Sequence, residues 1–168
     1  MRILSLAAGL ILALAPSLNA ASIPAGGHLE FDVVRKGKDI GDHGYRFNGS
    51  DDALTVKVTT DITVKVPIIS VTAYRFQHQS VENWSGGTLT SVRSATNDDG
   101  TPHQLATGGK GVLPASLWND DILRAGKLLN TIDGSIMSGV KVRKGTAPLR
   151  WNAITLNLLA VSMQPLRR

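Results

Sequence analysis

The sequence predicts an α+β fold that is mainly antiparallel β, a curved meander sheet or half-barrel with one short helix packed across it. Three observations carry that prediction: a long stretch of strict apolar–polar alternation, a series of strand-length segments parted by tight turns, and a single segment with helical spacing. Strands in sequence, then one helix, then a returning strand is the order of an α+β domain.

Alternation is strongest from Leu54 to Val66, where Leu54, Val56, Val58, Thr60, Ile62, Val64 and Val66 interleave with polar residues. A period of two puts one set on each face, so this is a long half-buried strand, and Pro67 ends it by removing a ladder donor. Upstream, Leu29, Phe31 and Val33 open a first strand, Lys36-Gly37-Lys38 turns it, and a return strand runs from about Ile40 to Phe47. Gly41 and Gly44 predict a bulge in that return strand. Downstream come Val71 to Trp84, the turn Gly86-Gly87, Thr88 to Asn97, the turn Asp98-Asp99-Gly100, and a short strand near His103 to Thr107. Strands joined by tight turns form an antiparallel meander.

The helix is expected between Ser116 and Asn130. Ser116 or Asn119 suits the N-cap, Asp120 and Asp121 suit the first turn, and Trp118, Ile122, Ala125 and Leu129 share one side. Gly126 keeps it short. Asp133-Gly134 then turns the chain into a strand from about Ile136 to Arg143.

Residues 1–20 read as an export signal: Arg2 is a positive start, Ile3 to Leu14 an apolar run, and Ala15 to Ala20 a small-residue exit. The run is too short to span a bilayer, which takes roughly 20 residues. Cleavage after Ala20, or Ala21, would leave a single β-rich domain over 21–143 and a basic tail over 144–168. The protein is therefore expected in the periplasm or secreted. The chain has no cysteine, so it carries neither disulfides nor a thiol-borne lipid anchor.

A net charge of +5 invites a nucleic-acid reading, but its distribution argues against one. Residues 21–143 hold 13 basic and 13 acidic side chains, and the excess lies in Arg2, Lys144, Arg150, Arg167 and Arg168. A nucleic-acid binder needs a basic stripe on the folded body, so no nucleic-acid partner is expected. No motif calls for a cofactor. Gly108-Gly109-Lys110-Gly111 lacks the rest of a phosphate-binding loop, and Asp98-Asp99 is too short for a calcium loop.

Chemistry concentrates between Tyr74 and Trp84. Tyr74, Phe76, His78, Ser80, Glu82 and Trp84 share one strand face. A two-residue loop at Gly86-Gly87 would set Trp84 opposite Leu89 and Ser80 opposite Arg93, with His78 and Glu82 diagonal to Arg93. Three readings fit. One is a buried Glu82–Arg93 pair with His78 as hydrogen-bonded neighbour; another is the lining of a ligand cavity; the last is a catalytic or metal site on His78 and Glu82. Four residues along a strand separate those two by about 13 Å, so a metal would need donors from neighbouring strands such as His43 or His103. No metal site is expected, nor a nucleophile elbow around Ser94 or Ser116.

The stretches Phe76…His78…Glu82-x-Trp84, Gly87-x-Leu89, Thr96-Asn97-Asp98-Asp99-Gly100 and Pro114-Ala115-Ser116-Leu117-Trp118-Asn119 through Leu129-Asn130-Thr131 resemble an uncharacterised family of exported proteobacterial proteins, domain of unknown function 6134. The resemblance covers roughly Phe31 to Val142. It implies an envelope or secreted protein, a β-rich fold with one helix and no assigned activity, and it supplies no catalytic residues. The tail departs from it: after Lys144 there is no acid, and Ala153 to Met163 alternates poorly as a strand.

The expected function is binding of a small amphiphile or lipid in a cavity lined by Tyr74, Phe76, Trp84 and Trp118, without enzymatic activity. The competing expectation is a structural or interaction module with a protein partner in the cell envelope; oligomeric state is open. A shifted reading frame near Gly145 would explain the tail and leave the sheet with a bare edge and exposed core. Sequencing the locus tests this, and an uninterrupted frame encoding this chain would refute it.

Overall fold

The computed structural model describes residues 23–66, 71–109 and 111–139, together with the backbone of two short strands at 155–156 and 161–165. The expected export signal lies outside the described residues. Six strands form the meander: β1 (His28–Arg35), β2 (Lys38–Ser50), β3 (Ala53–Lys65), β4 (Thr72–Ser85), β5 (Thr88–Asp98) and β6 (Thr101–Gly108). Two more, β10 (Thr155–Leu156) and β11 (Val161–Pro165), extend the sheet beyond β1 in the order β10-β11-β1-β2-β3-β4-β5-β6. The sheet is mainly antiparallel and does not close into a barrel.

The predicted turns set this register. Lys36-Gly37, Gly86-Gly87 and Asp99-Gly100 each occupy two-residue loops with both residues at positive φ, the geometry that matches strand twist. Between β2 and β3 the backbones come close at Gly41, whose φ is 149°. A Cβ there would sit 1.9 Å from the Asp61 carbonyl oxygen, so only glycine fits. The predicted bulge lies beside it, where the β1–β2 register shifts between Val33 and Val34 and leaves Ile40 unpaired.

One face of the meander is the core. Phe31, Tyr45, Leu54, Val56, Val58, Trp84, Leu89 and Val92 are buried in one cluster, and Val33 and Ile62 in a second. Over the first cluster lies a strap, residues 112–131, which contributes Trp118 and Leu129. Its β7 (Leu113–Pro114) runs parallel to β8 (Lys127–Leu129), and β8 pairs antiparallel with β9 (Ile136–Ser138).

The strap is where the expected helix fails. Among the described residues its helical part is one 3₁₀ turn, Asp120–Leu123, with Asn119 as N-cap accepting from the Asp121 N–H at 2.9 Å. Backbone groups that a helix would use internally are taken elsewhere. The Ser116 carbonyl accepts from the Tyr45 hydroxyl, and the Leu129 carbonyl accepts from the Ala115 N–H at 2.9 Å. Leu117 sits at φ 67°, outside the helical region. Trp118, Ile122 and Leu129 are buried as expected, but from an irregular strap.

The strand expected from Ile136 is only Ile136–Ser138 here; 140–143 fall outside the described residues. Beside β1 the sheet is extended, because Phe31 to Val34 pair with residues 162–165 of β11. No helix among the described residues is long and apolar enough to cross a membrane.

Candidate functional site: a polar row between two apolar clusters

Direct strand pairing aligns Phe31, His43, Thr60, His78, Thr96 and His103 in one row across β1 to β6. Alternation places all of them on the core face. Histidine alternates with threonine, so each ring has a hydroxyl beside it. His43 Nδ1 and Thr60 Oγ1 are 2.7 Å apart, as are His78 Nδ1 and Thr96 Oγ1. From the strap, the Thr131 hydroxyl approaches His78 Nε2 at 3.4 Å. The row divides the two apolar clusters. On one side lies the strap-covered cluster of Tyr45, Trp84 and Trp118; on the other, Val33 and Ile62 pack with the partly buried Ile40, Val64 and Phe76.

The next rows are built around Ser80 and Glu82. Glu82 is fully buried, and its Oε2 accepts two indole N–H groups, Trp118 Nε1 at 2.9 Å and Trp84 Nε1 at 3.2 Å. The indoles meet edge to face, 5.2 Å between centroids. Burial pushes the Glu82 carboxyl above its ordinary pKa, while Trp118, the neighbouring Ser116 hydroxyl and Trp84 pull it partly back. No lysine or arginine among the described residues forms an ion pair with it, so burial favours its neutral form.

Arg93 is not its partner. The Gly86-Gly87 loop has the expected two residues and Trp84 does face Leu89, but a bulge between Asn83 and Trp84 leaves Thr90 unpaired. From there on every β5 side chain changes face. Ser80 therefore faces Ser94, while Arg93 lies opposite Val81, exposed on the outer face. There it lines an open groove with Val81, Asn83, Ser91, Ala106, Thr107 and Gly108. The outer face also opposes Asp32, Asp42 and Asp61 across β1 to β3, and Asp42 is raised by slight burial and by its acidic neighbours.

The other candidates separate. His78 joins the row, Trp84 and Trp118 form the double-indole site, Phe76 belongs to the second cluster, and the half-buried Tyr74 donates to Asp98 at 2.7 Å. Burial and that bond push the Tyr74 phenol up to about 12. Trp84 and Trp118 are buried in the core, 4% and 6% exposed. His43 and His78 stand two strands apart, about 10 Å along the row. Among the described residues no group of three or more His, Asp or Glu is arranged around a common point.

Among the described residues, three buried side-chain polar atoms lack a hydrogen-bond partner: His43 Nε2, Ser80 Oγ and Glu82 Oε1. All three lie on the inner face. Burial, followed by the nearby His78, lowers the His43 pKa to about 4, and burial lowers that of His78, so both rings are neutral near pH 7. Sequence reasoning named His78 and Glu82 but missed the His43–Thr60 and His78–Thr96 pairs, the Thr131 contact and the unpaired Ser80. The turns alone do not reveal the row: the Gly86-Gly87 loop by itself would set His78 opposite Ala95, and the bulge at Thr90 brings Thr96 there instead.

The model of the family described as Domain of unknown function (DUF6134) matches residues 31–158. The chain belongs to this family. The match runs past Val142, where the resemblance was expected to end, into the basic tail. No curated protein sequence and no solved structure gives a significant match. In this DUF6134 member, the residues that suggested the family converge in space: Glu82, Trp84, Ser116 and Trp118 form one network, and His78, Thr96 and Thr131 the other.

Two outcomes follow for stability. Glu82→Gln keeps a neutral acceptor and should cost under about 1.5 kcal/mol in urea unfolding at pH 7, whereas Glu82→Ala strands two buried indole donors and should cost about 3–5 kcal/mol. The raised Glu82 pKa makes its contribution complete below the ordinary carboxyl value and lost as pH rises, so Glu82→Gln should gain on the parent toward alkaline pH. Equal losses for the two variants would show the carboxyl to be ionised.

His43 works in the opposite sense. Its contribution is complete above the ordinary imidazole value of 6.5 and is lost as pH falls through about 4, amounting to about 3 kcal/mol. His43→Gln should flatten the acid limb of the stability profile. An unchanged limb would mean that the ring is not buried neutral.

Proposed function

We propose that the protein is an exported binding protein that holds a small amphiphilic or lipid ligand on the inner face of a half-barrel sheet, at the Phe76–His78 end. The observation that carries this is the coincidence of unpaired buried polar atoms with a partly exposed apolar cluster. His43 Nε2 lies in the row next to that of Ile62 and Phe76, and Ser80 Oγ in the following row toward the strap; burying a polar atom without a partner costs free energy that a ligand's polar group would recover. The opposite end is filled by Trp84, Trp118 and the strap, which supports a site away from the tryptophans. Export is supported by the order of charge, apolar run and small residues in 1–20.

We read the site as binding without catalysis. Ser80 stands between His78 and Glu82 on the strand, yet its hydroxyl is bonded to neither, so no nucleophile–base pair is assembled. A second reading, an envelope interaction module, draws on the edge position of β6, the open groove beside it, and the exposed Ile136 and Met137.

Native mass spectrometry on the protein recovered from the periplasm of an expression host tests the proposal. A non-covalent adduct lost on denaturation is expected, on a chain beginning near Ala21. A clean unliganded mass that stays so after incubation with a total lipid extract would refute ligand binding and favour the interaction module. Retention of residues 1–20 would refute export with cleavage.

A further inference from the structure

Resting on the amphiphile reading, we infer that the ligand's head is uncharged and hydroxyl-bearing, of the monoacylglycerol type, and not a carboxylate or phosphate. The first reason is the charge of the surface. Four consecutive rows of the inner face, from the Phe76 row to the Glu82 row, contain no lysine or arginine. The bulge at Thr90 has carried Arg93, the cation nearest in sequence to this region of β5, to the outer face. The acids present, Glu82 and Asp98, are engaged by indole and phenol donors, and a ligand anion would meet no compensating charge.

The second reason is the kind of atom left unpaired. Ser80 Oγ both donates and accepts. His43 Nε2 does one or the other, according to which role Nδ1 plays toward Thr60. A hydroxyl satisfies either ring tautomer and a serine, whereas a carboxylate only accepts. The third reason is spacing. His43 on β2 and Ser80 on β4 lie two strands and one row apart, about 12 Å between backbone positions, so they suit a head with more than one hydrogen-bonding group. The chain of such a molecule would lie toward Phe76, Ile62 and Val64, the partly exposed side of the row.

Isothermal titration of the purified protein at pH 8 with three probes of one chain length tests this: monopalmitoylglycerol, palmitate and hexadecyltrimethylammonium, each below its aggregation limit. Monopalmitoylglycerol is expected to bind at least about tenfold more tightly than either ion. Ser80→Ala, a small change unlike the larger His43→Phe, should reduce that preference several-fold while urea unfolding stays near the parent's. Palmitate binding as well as or better than the glyceride would overturn the neutral-head assignment and leave the amphiphile reading standing. Equal binding of all three, or a preference unaltered in both Ser80→Ala and His43→Phe, would equally remove the row from head recognition. No binding of any probe would overturn the amphiphile reading itself.

Discussion

One buried carboxyl joins the two halves of this structure. Glu82 Oε2 accepts from Trp84 on its own strand and from Trp118 on the strap, so a single oxygen ties the meander to the segment that covers it. The strap has little regular structure with which to hold itself, one 3₁₀ turn and short strand pairs. Its position is set by what it offers the sheet: Trp118 to Glu82, the Ser116 carbonyl to Tyr45, the Thr131 carbonyl to Ser94. The carboxyl is held by two indole donors and not by a cation, so this anchor depends on hydrogen-bond geometry.

The aromatic packing follows from that anchor. Phe47 meets Trp118 edge to face at 5.4 Å, Tyr45 stacks beside Phe47, and His43 packs against Tyr45 at 4.6 Å. A continuous line of rings thus runs from the double-indole site to the polar row. The tryptophan end is buried beneath the strap, while Phe76, Val64 and Ile40 at the other end stay partly exposed. The same sheet face presents two environments, and the histidines mark the border.

Most of the meander could be read in the sequence because its signals are local. The alternation at Leu54–Val66 and the Gly-containing turns specify face and register without long-range contacts. The helix was misjudged for the opposite reason. The spacing of Trp118, Ile122 and Leu129 reports burial alone, and the partners that divert the strap's backbone, Tyr45 above all, lie far away in sequence. Arg93 was misplaced by one residue of register. Thr90 carries no bulge signal of its own; its hydroxyl bonds the Asn83 carbonyl and its carbonyl accepts from Gly109, contacts that exist only once three strands are assembled.

Thr90 is thus more than an irregularity in a hairpin. Counted along the chain it is one residue; counted across the sheet it sorts everything after it, sending Val92, Ser94 and Thr96 inward and Arg93 out. Loss of that one codon would leave both β5 and the turn in place. It would exchange their contents, bringing a guanidinium to a carboxyl now held neutral and turning three core side chains to water. In this hairpin an indel of minimal length acts as an electrostatic inversion of the interior, so the spacing between Gly87 and Arg93 is under the same constraint as the identity of Glu82.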